Sequence, residues 1–192
     1  NRFFLHTFRN TRKTKVGNFF KNNYFCSIQF LQILLKMKRI LVVGAGGQIG
    51  TELVPHLQKN YGEDNVIAAD LKDEAIAKIG EYARVEKLDA LDFNAFGELV
   101  KKHNIDAIFN LVALLSATGE KNPELAWKIN MGALLNSLTL AKEFKTAVFT
   151  PSSIGAFGVS TPHDMTPQDT VMRPDTIYGV CKVTGELLSD YY

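Results

Sequence analysis

From residue 39 onward the sequence alternates between short apolar runs and helical patterns, and this alternation constrains the fold more than any other feature. "RILVVG" (Arg39–Gly44), "NVIAAD" (Asn65–Asp70), "ARVEKL" (Ala83–Leu88), "DAIFNLVA" (Asp106–Ala113) and "AVFTPS" (Ala147–Ser152) have the length and apolar content of buried strands. Helical patterns fill Gln48–Asn60, Phe93–His103 and Pro123–Phe144, and a last helix starts near Tyr178. Pro55 falls inside the first of them and is expected to bend it. Strands that alternate with helices join through right-handed crossovers into a parallel sheet covered on both faces, a doubly wound α/β architecture. Ligands of such sheets bind at the carboxyl ends of the strands.

The first strand-to-helix turn reads "GAGGQIG", with Gly44, Gly47 and Gly50 spaced G-x-x-G-x-x-G. The spacing departs from G-x-G-x-x-G, yet it provides a tight turn, close backbone approach and helix N-terminal amides aimed at an anion, which a pyrophosphate requires. Glycines in a turn are commonly structural. Here a strand precedes them, a helix follows, and Asp70 ends the second strand 20 residues after Gly50. A carboxylate there accepts hydrogen bonds from ribose hydroxyls and repels a 2′-phosphate, so NAD is favoured over NADP, although Lys72 lies two residues on. After the third strand, "LDALD" offers Asp89 as an acceptor for an adenine amino group, with the next backbone amide, that of Ala90, for the ring nitrogen. The competing role, a helix N-cap, suits Asp92 better, because "FNAF" follows it.

"YGVCK" places Tyr178 and Lys182 at i, i+4, one face of a helix, where an ammonium can stabilise a phenolate. Tyrosine, with a pKa of ~10, is a poor base at neutral pH without such a neighbour. Ser153, 25 residues earlier in "TPSSIGAFG", lies at the end of the fifth strand and so on the same sheet edge as the glycine turn. It is the candidate to hydrogen-bond a substrate oxygen while Tyr178 takes its proton.

Composition sets the exclusions. Residues 1–36 carry seven Lys/Arg and no acid, and subtracting those seven from the net +2 leaves −5 for the remainder, so the domain has no electrostatic case for binding nucleic acid. That basic leader, rich in Phe and Asn, reads either as upstream sequence ahead of an initiator-like Met37 or as an organellar presequence. The domain is assigned to residues 37–192, and "SIQFLQILLK" is too short to span a bilayer. Cys26 and Cys181 form no metal-ligand or redox pattern and suit a reducing compartment. No metal site is expected.

These motifs together resemble the extended short-chain dehydrogenase/reductase superfamily, which includes nucleotide-sugar epimerases and dehydratases. "ALLSATGEKNPELAWKINM", with "GQIGTEL", "PSSIGAFG", "TPQDT" and "GELL", resembles more narrowly the short-chain-type L-threonine 3-dehydrogenases, over about Met37 to the chain end. The resemblance implies a Rossmann sheet and NAD-dependent oxidation of the L-threonine β-hydroxyl to 2-amino-3-oxobutyrate. It gives Tyr178, Lys182 and Ser153 the catalytic roles and Ser116 a place in binding the amino acid. Cofactor contacts then extend to Gln48 and Ile49 at the first helix's start, Leu71 beside Asp70, and Leu111 and Ala113 past the fourth strand, where contacts are largely backbone. Asn110 stands where many superfamily members have histidine. The family continues into a substrate-covering lobe beyond Tyr192, so the chain reads as a C-terminally incomplete piece. A homodimer packed through Pro123–Phe144 and the last helix is expected when the protein is full length, in the bacterial cytoplasm, or in the mitochondrial matrix if the leader is a presequence.

The loop itself suits a small zwitterion: Ser116, Thr118 and Gly119 let donors close around a compact ligand. Part of it is a capping turn, Asn122 before Pro123, and Trp127 and Asn130 are expected to pack inward, Asn130 as a bridge near the cofactor. A nucleotide-sugar epimerase and a catalytically inactive NAD-binding module remain the alternatives.

Overall fold

The computed structural model describes residues 38–167 and 169–192, and the leader assigned to residues 1–36 lies outside them. Five parallel strands form one sheet in the order β3-β2-β1-β4-β5: β1 (Ile40–Val43), β2 (Val66–Asp70), β3 (Arg84–Lys87), β4 (Ala107–Asn110) and β5 (Ala147–Phe149). Register is in step across the centre, with Ile40 opposite both Val66 and Ala107 and Val43 opposite both Ala69 and Asn110. All four β1 residues are buried because both faces of the sheet are covered.

The alternation of side chains along β1 sorts two cores. Ile40 and Val42 pack with Val54 and Leu57 of helix α1 (Gln48–Tyr61) and with Ile79 of α2 (Asp73–Gly80). Leu41 and Val43 face the other way, against Phe96, Leu99 and Val100 of α3 (Phe93–Lys102), a one-turn helix α4 (Ser116–Gly119) intervening in sequence before Ala133 and Leu140 of α5 (Pro123–Phe144) complete that layer. Each such buried aliphatic side chain is worth about 1.5–3 kcal/mol. A third cluster of Met131, Leu134, Leu138 and Cys181 joins α5 to α6 (Ile177–Tyr191).

The chain order reverses between β1 and β4, since β1 connects outward to β2 and the return crosses to β4. This is the switch point at which doubly wound sheets open a crevice. Helix starts agree with local chemistry: Asp92 caps α3 by accepting from Ala95 N (3.0 Å), and Asn122 caps α5 by accepting from Leu125 N (3.1 Å), with Pro123 behind it. The expectation for Trp127 fails. Ala126 and Asn130, four residues apart, take the inward positions on α5, and Trp127, about 100° round the helix, is 43% exposed. Asn130 does pack inward. Pro55 stands in the interior of α1, and the helix continues through it to Tyr61. Among the described residues, no helix is long and apolar enough to cross a membrane.

Candidate active site

At the carboxyl end of β1, Gly44 turns the chain with φ of 79°, and its amide and that of Ala45 both donate to Ala69 O (2.9 and 3.1 Å). A Cβ on Gly44 would meet Val112 N at 3.0 Å, so the turn lies directly against the chain leaving β4. Gly50 serves a different need: a Cβ there would stand 2.3 Å from Ala45 O, because α1 crosses the turn at backbone contact. At Gly47, by contrast, a Cβ would find nothing nearer than Gly44 O at 3.4 Å. The middle glycine therefore faces open space at the helix start, with Gln48 and Ile49 beginning α1 beside it.

Asp70 closes this end of the crevice. Its Oδ2 accepts from Gly46 N (2.8 Å) and its Oδ1 from Lys72 N (3.1 Å), which pins the glycine turn to β2 and leaves each oxygen a second lone pair. Leu71, next in the chain, is exposed. Past β3, Asp89 Oδ1 accepts from Leu91 N (2.9 Å), and Ala90 O accepts from Asn136 of α5 (2.8 Å), so the Asp89–Ala90 turn is held on two sides. Beyond β4, Leu111 N continues the ladder to Val43 O (2.9 Å), and Asn110 Oδ1 accepts from Val112 N (3.2 Å). Ala113 follows, and Asn130 brackets the next residue, Leu114, accepting from its N–H (2.6 Å) and donating to its carbonyl (3.2 Å). A glycine turn, an uncovered helix start and a carboxylate with spare acceptor capacity suit a dinucleotide along this crevice.

The second half of the site gathers on α6. Thr176 caps it, accepting from Gly179 N (3.0 Å), and Tyr178 and Lys182 stand one turn apart with the Lys182 ammonium 5.2 Å from the Tyr178 ring centroid. Lys182 Nζ donates to Pro151 O (2.7 Å). Burial pulls the Lys182 ammonium below the ordinary lysine range, opposed by the charge of Cys181; burial pushes the Cys181 thiol up, against the Asn130 side chain and Lys182. Ser153 lies four residues past the end of β5, where it caps a 3₁₀ turn, Ile154–Ala156, by accepting from Gly155 N (3.1 Å). A Cβ on Gly155 would be 3.4 Å from Tyr178 Cδ1 and 3.5 Å from Ser153 Oγ, so both side chains border the same small space. The backbones touch here as well: a Cβ on Gly179 would fall 2.0 Å from Gly155 O.

Ser116 opens α4, the one-turn helix within the expected loop. The other end of that helix packs on α6, where a Cβ on Gly119 would lie 3.4 Å from the side chain of Ile177, and Glu120 Oε1 accepts from Ile177 N (2.7 Å). The serine-bearing segment is thus fastened to the residue preceding Tyr178. Sequence reading passed over Gly46, Glu120, Gly155 and Glu186. Glu186 alone left a visible signal, since Tyr178, Lys182 and Glu186 recur at i, i+4, i+8. Among the described residues no group of three or more His, Cys, Asp or Glu could hold a metal ion.

The parallel sheet, the glycine turn at its switch point and the Ser153, Tyr178, Lys182 set define a dinucleotide-binding Rossmann core of the dehydrogenase/epimerase type. The model of the NAD dependent epimerase/dehydratase family matches residues 40–192, and the chain belongs to that family. The family implies a nicotinamide cofactor. An uncharacterized epimerase/dehydratase of Staphylococcus saprophyticus is 51% identical over 156 residues, covering 81% of this chain and 49% of that protein. The chain therefore spans about half the length of the curated relatives it matches. The structure of L-threonine dehydrogenase from Clostridium difficile is similar at 51% identity with a TM-score of 0.78, covering 81% of this chain and 49% of the other. L-threonine 3-dehydrogenase from Trypanosoma brucei is similar at 42% identity and a TM-score of 0.77, with the same coverage.

Proposed function

We propose that this chain is the cofactor-binding part of an NAD-dependent L-threonine 3-dehydrogenase, which oxidises the β-hydroxyl of L-threonine to 2-amino-3-oxobutyrate. The observation that carries the reading is the identity of 51% and 42% to two L-threonine dehydrogenases over 81% of this chain. NAD, which the glycine turn and Asp70 would hold, would supply the acceptor for the hydride of the β-carbon. Ser153 Oγ donates a hydrogen bond to the substrate hydroxyl oxygen, and Tyr178 Oη takes the hydroxyl proton. Lys182, held on Pro151 O, keeps positive charge beside the tyrosine while that proton moves. Ser116 holds the amino-acid end of the substrate. The preference for NAD over NADP rests on Asp70.

Steady-state kinetics of the full-length protein test the reading. Tyr178→Phe should lower kcat by roughly 10²–10⁴-fold with NAD binding nearly intact, the usual contribution of a positioned acid–base group. Ser116→Ala should mainly raise KM for L-threonine, by about tenfold for one lost hydrogen bond. Turnover of a UDP-hexose without turnover of threonine would assign the protein to the epimerase branch instead.

A further inference from the structure

We propose that Glu186 is a positioning residue: with Lys182, one turn before it on α6, it grips the exit of β5 and sets where Ser153 stands relative to Tyr178. For its catalytic consequence the proposal rests on the reading above; the grip itself is a matter of geometry.

Two side chains of α6 hold two successive residues of the β5 exit. Lys182 Nζ donates to Pro151 O (2.7 Å), and Glu186 Oε1 accepts from the hydroxyl of Ser152. Ser153 is the next residue. On its far side the contact between Gly155 O and Gly179 fixes the 3₁₀ turn against the start of α6, and Ser153 O accepts from Ala156 N (3.1 Å) within that turn. Ser153 thus sits between a front contact at Gly155 and a rear clamp at Pro151–Ser152. Releasing the rear clamp leaves it to pivot about the front one.

Packing alone does not account for a carboxylate at this position. Glu186 is 6% exposed, on a helix whose buried neighbours include Cys181 beside Leu134 and Leu138, where an apolar side chain would bury at no polar cost. Lys182, Glu186 and Ser152 instead line one cavity of about 30 Å³, whose wall mixes Asn110 and Asn130 with Val112 and Leu134.

The test uses the full-length enzyme. Ser152→Ala and Glu186→Leu should each lower kcat by about tenfold or more, with KM and NAD affinity changed less than about threefold. The double variant should be no worse than the weaker single, the mark of one shared interaction. Glu186→Gln keeps a carbonyl acceptor for Ser152 and should return kcat to within about threefold of wild type. Reductive methylation of Lys182, read by peptide mass spectrometry, should quicken several-fold in Ser152→Ala while the melting temperature changes little. Additive losses, unchanged kcat, unchanged methylation or a Glu186→Gln variant as slow as Glu186→Leu would each overturn the clamp. Methylation needs no turnover. A wild type inactive on threonine whose Ser152→Ala form still exposes Lys182 would remove the substrate assignment and keep the clamp.

Discussion

Asp70 joins an observed structural role to the selective one proposed for it, with the same atoms. Its carboxylate already takes two backbone amides, Gly46 N and Lys72 N, so it is oriented before any ligand arrives. An oriented anion at the end of β2 discriminates against a second anion more sharply than a mobile one, because it cannot swing aside from a 2′-phosphate. Asp70→Ala should therefore narrow the preference for NAD over NADP by about tenfold or more, since removing a like charge within a few ångströms is worth at least ~1.4 kcal/mol in a partly desolvated site. Equal affinities in the wild-type protein, measured by titration of protein fluorescence, would remove the role assigned to it. The same variant also frees the Gly46 amide. A modest loss of melting temperature should accompany the change in preference.

At the scale of elements, β3 is the most exposed strand and is tied down by charge rather than by burial. Glu86 Oε1 receives Lys102 Nζ (2.8 Å) and His103 Nε2 (2.7 Å) from the end of α3, joining the sheet edge to the helix that covers it. The hydrogen bond from Lys102 chiefly, with His103 adding to it and burial opposing, holds the Glu86 carboxyl below the ordinary glutamate range. A carboxylate depressed in the folded state contributes stability above its unfolded pKa of about 4.3, and that contribution disappears as pH falls through the lower folded value. Urea unfolding should accordingly show the wild type more stable than Glu86→Gln near pH 7, with the difference shrinking below about pH 4. A difference that grows on acidification would contradict the assignment. Expectation and structure agree closely for the long elements: Pro123–Phe144 has the bounds its periodicity predicts, and Tyr178 and Lys182 stand one turn apart on α6 as their spacing implies. The discrepancies are where local signals compete. β4 and β5 stop at Asn110 and Phe149, short of the apolar runs, because the chain must leave the sheet to build the crevice. Helix α2 is short and α4 is a single turn, too brief for a period to register, and Trp127 is outward because α5 already fills its inner face with Ala126 and Asn130. Glu120 and Glu186 matter through partners 57 and 34 residues away; the helical spacing places Glu186 on the face of Lys182, but no local pattern reveals either partner.

For the molecule as a whole, α6 carries an apolar stripe on the side away from the sheet. Val180, Leu187 and Tyr191 fall within a narrow arc of the helix, and Leu187 and Tyr191 are 63% and 82% exposed. The stripe is where the homodimer expected of the full-length protein would pack, since one helix face presented by each of two copies about a two-fold axis covers itself. Light scattering of the full-length protein should give a dimer, and Leu187→Glu should shift it toward monomer while kcat per subunit for the remaining dimer is preserved; a monomeric wild type would remove the assignment. One contact also limits how such a protein can change its diet. The segment with Ser116 is fastened through Glu120 to the amide of Ile177, immediately before the tyrosine. On the roles proposed for Ser116 and Tyr178, specificity and acid–base chemistry therefore travel as one inherited unit: a loop grafted in from a relative with other tastes, but lacking a carboxylate at position 120, would leave the first turn of α6 without its outside acceptor and would disturb the reaction before it redirected it.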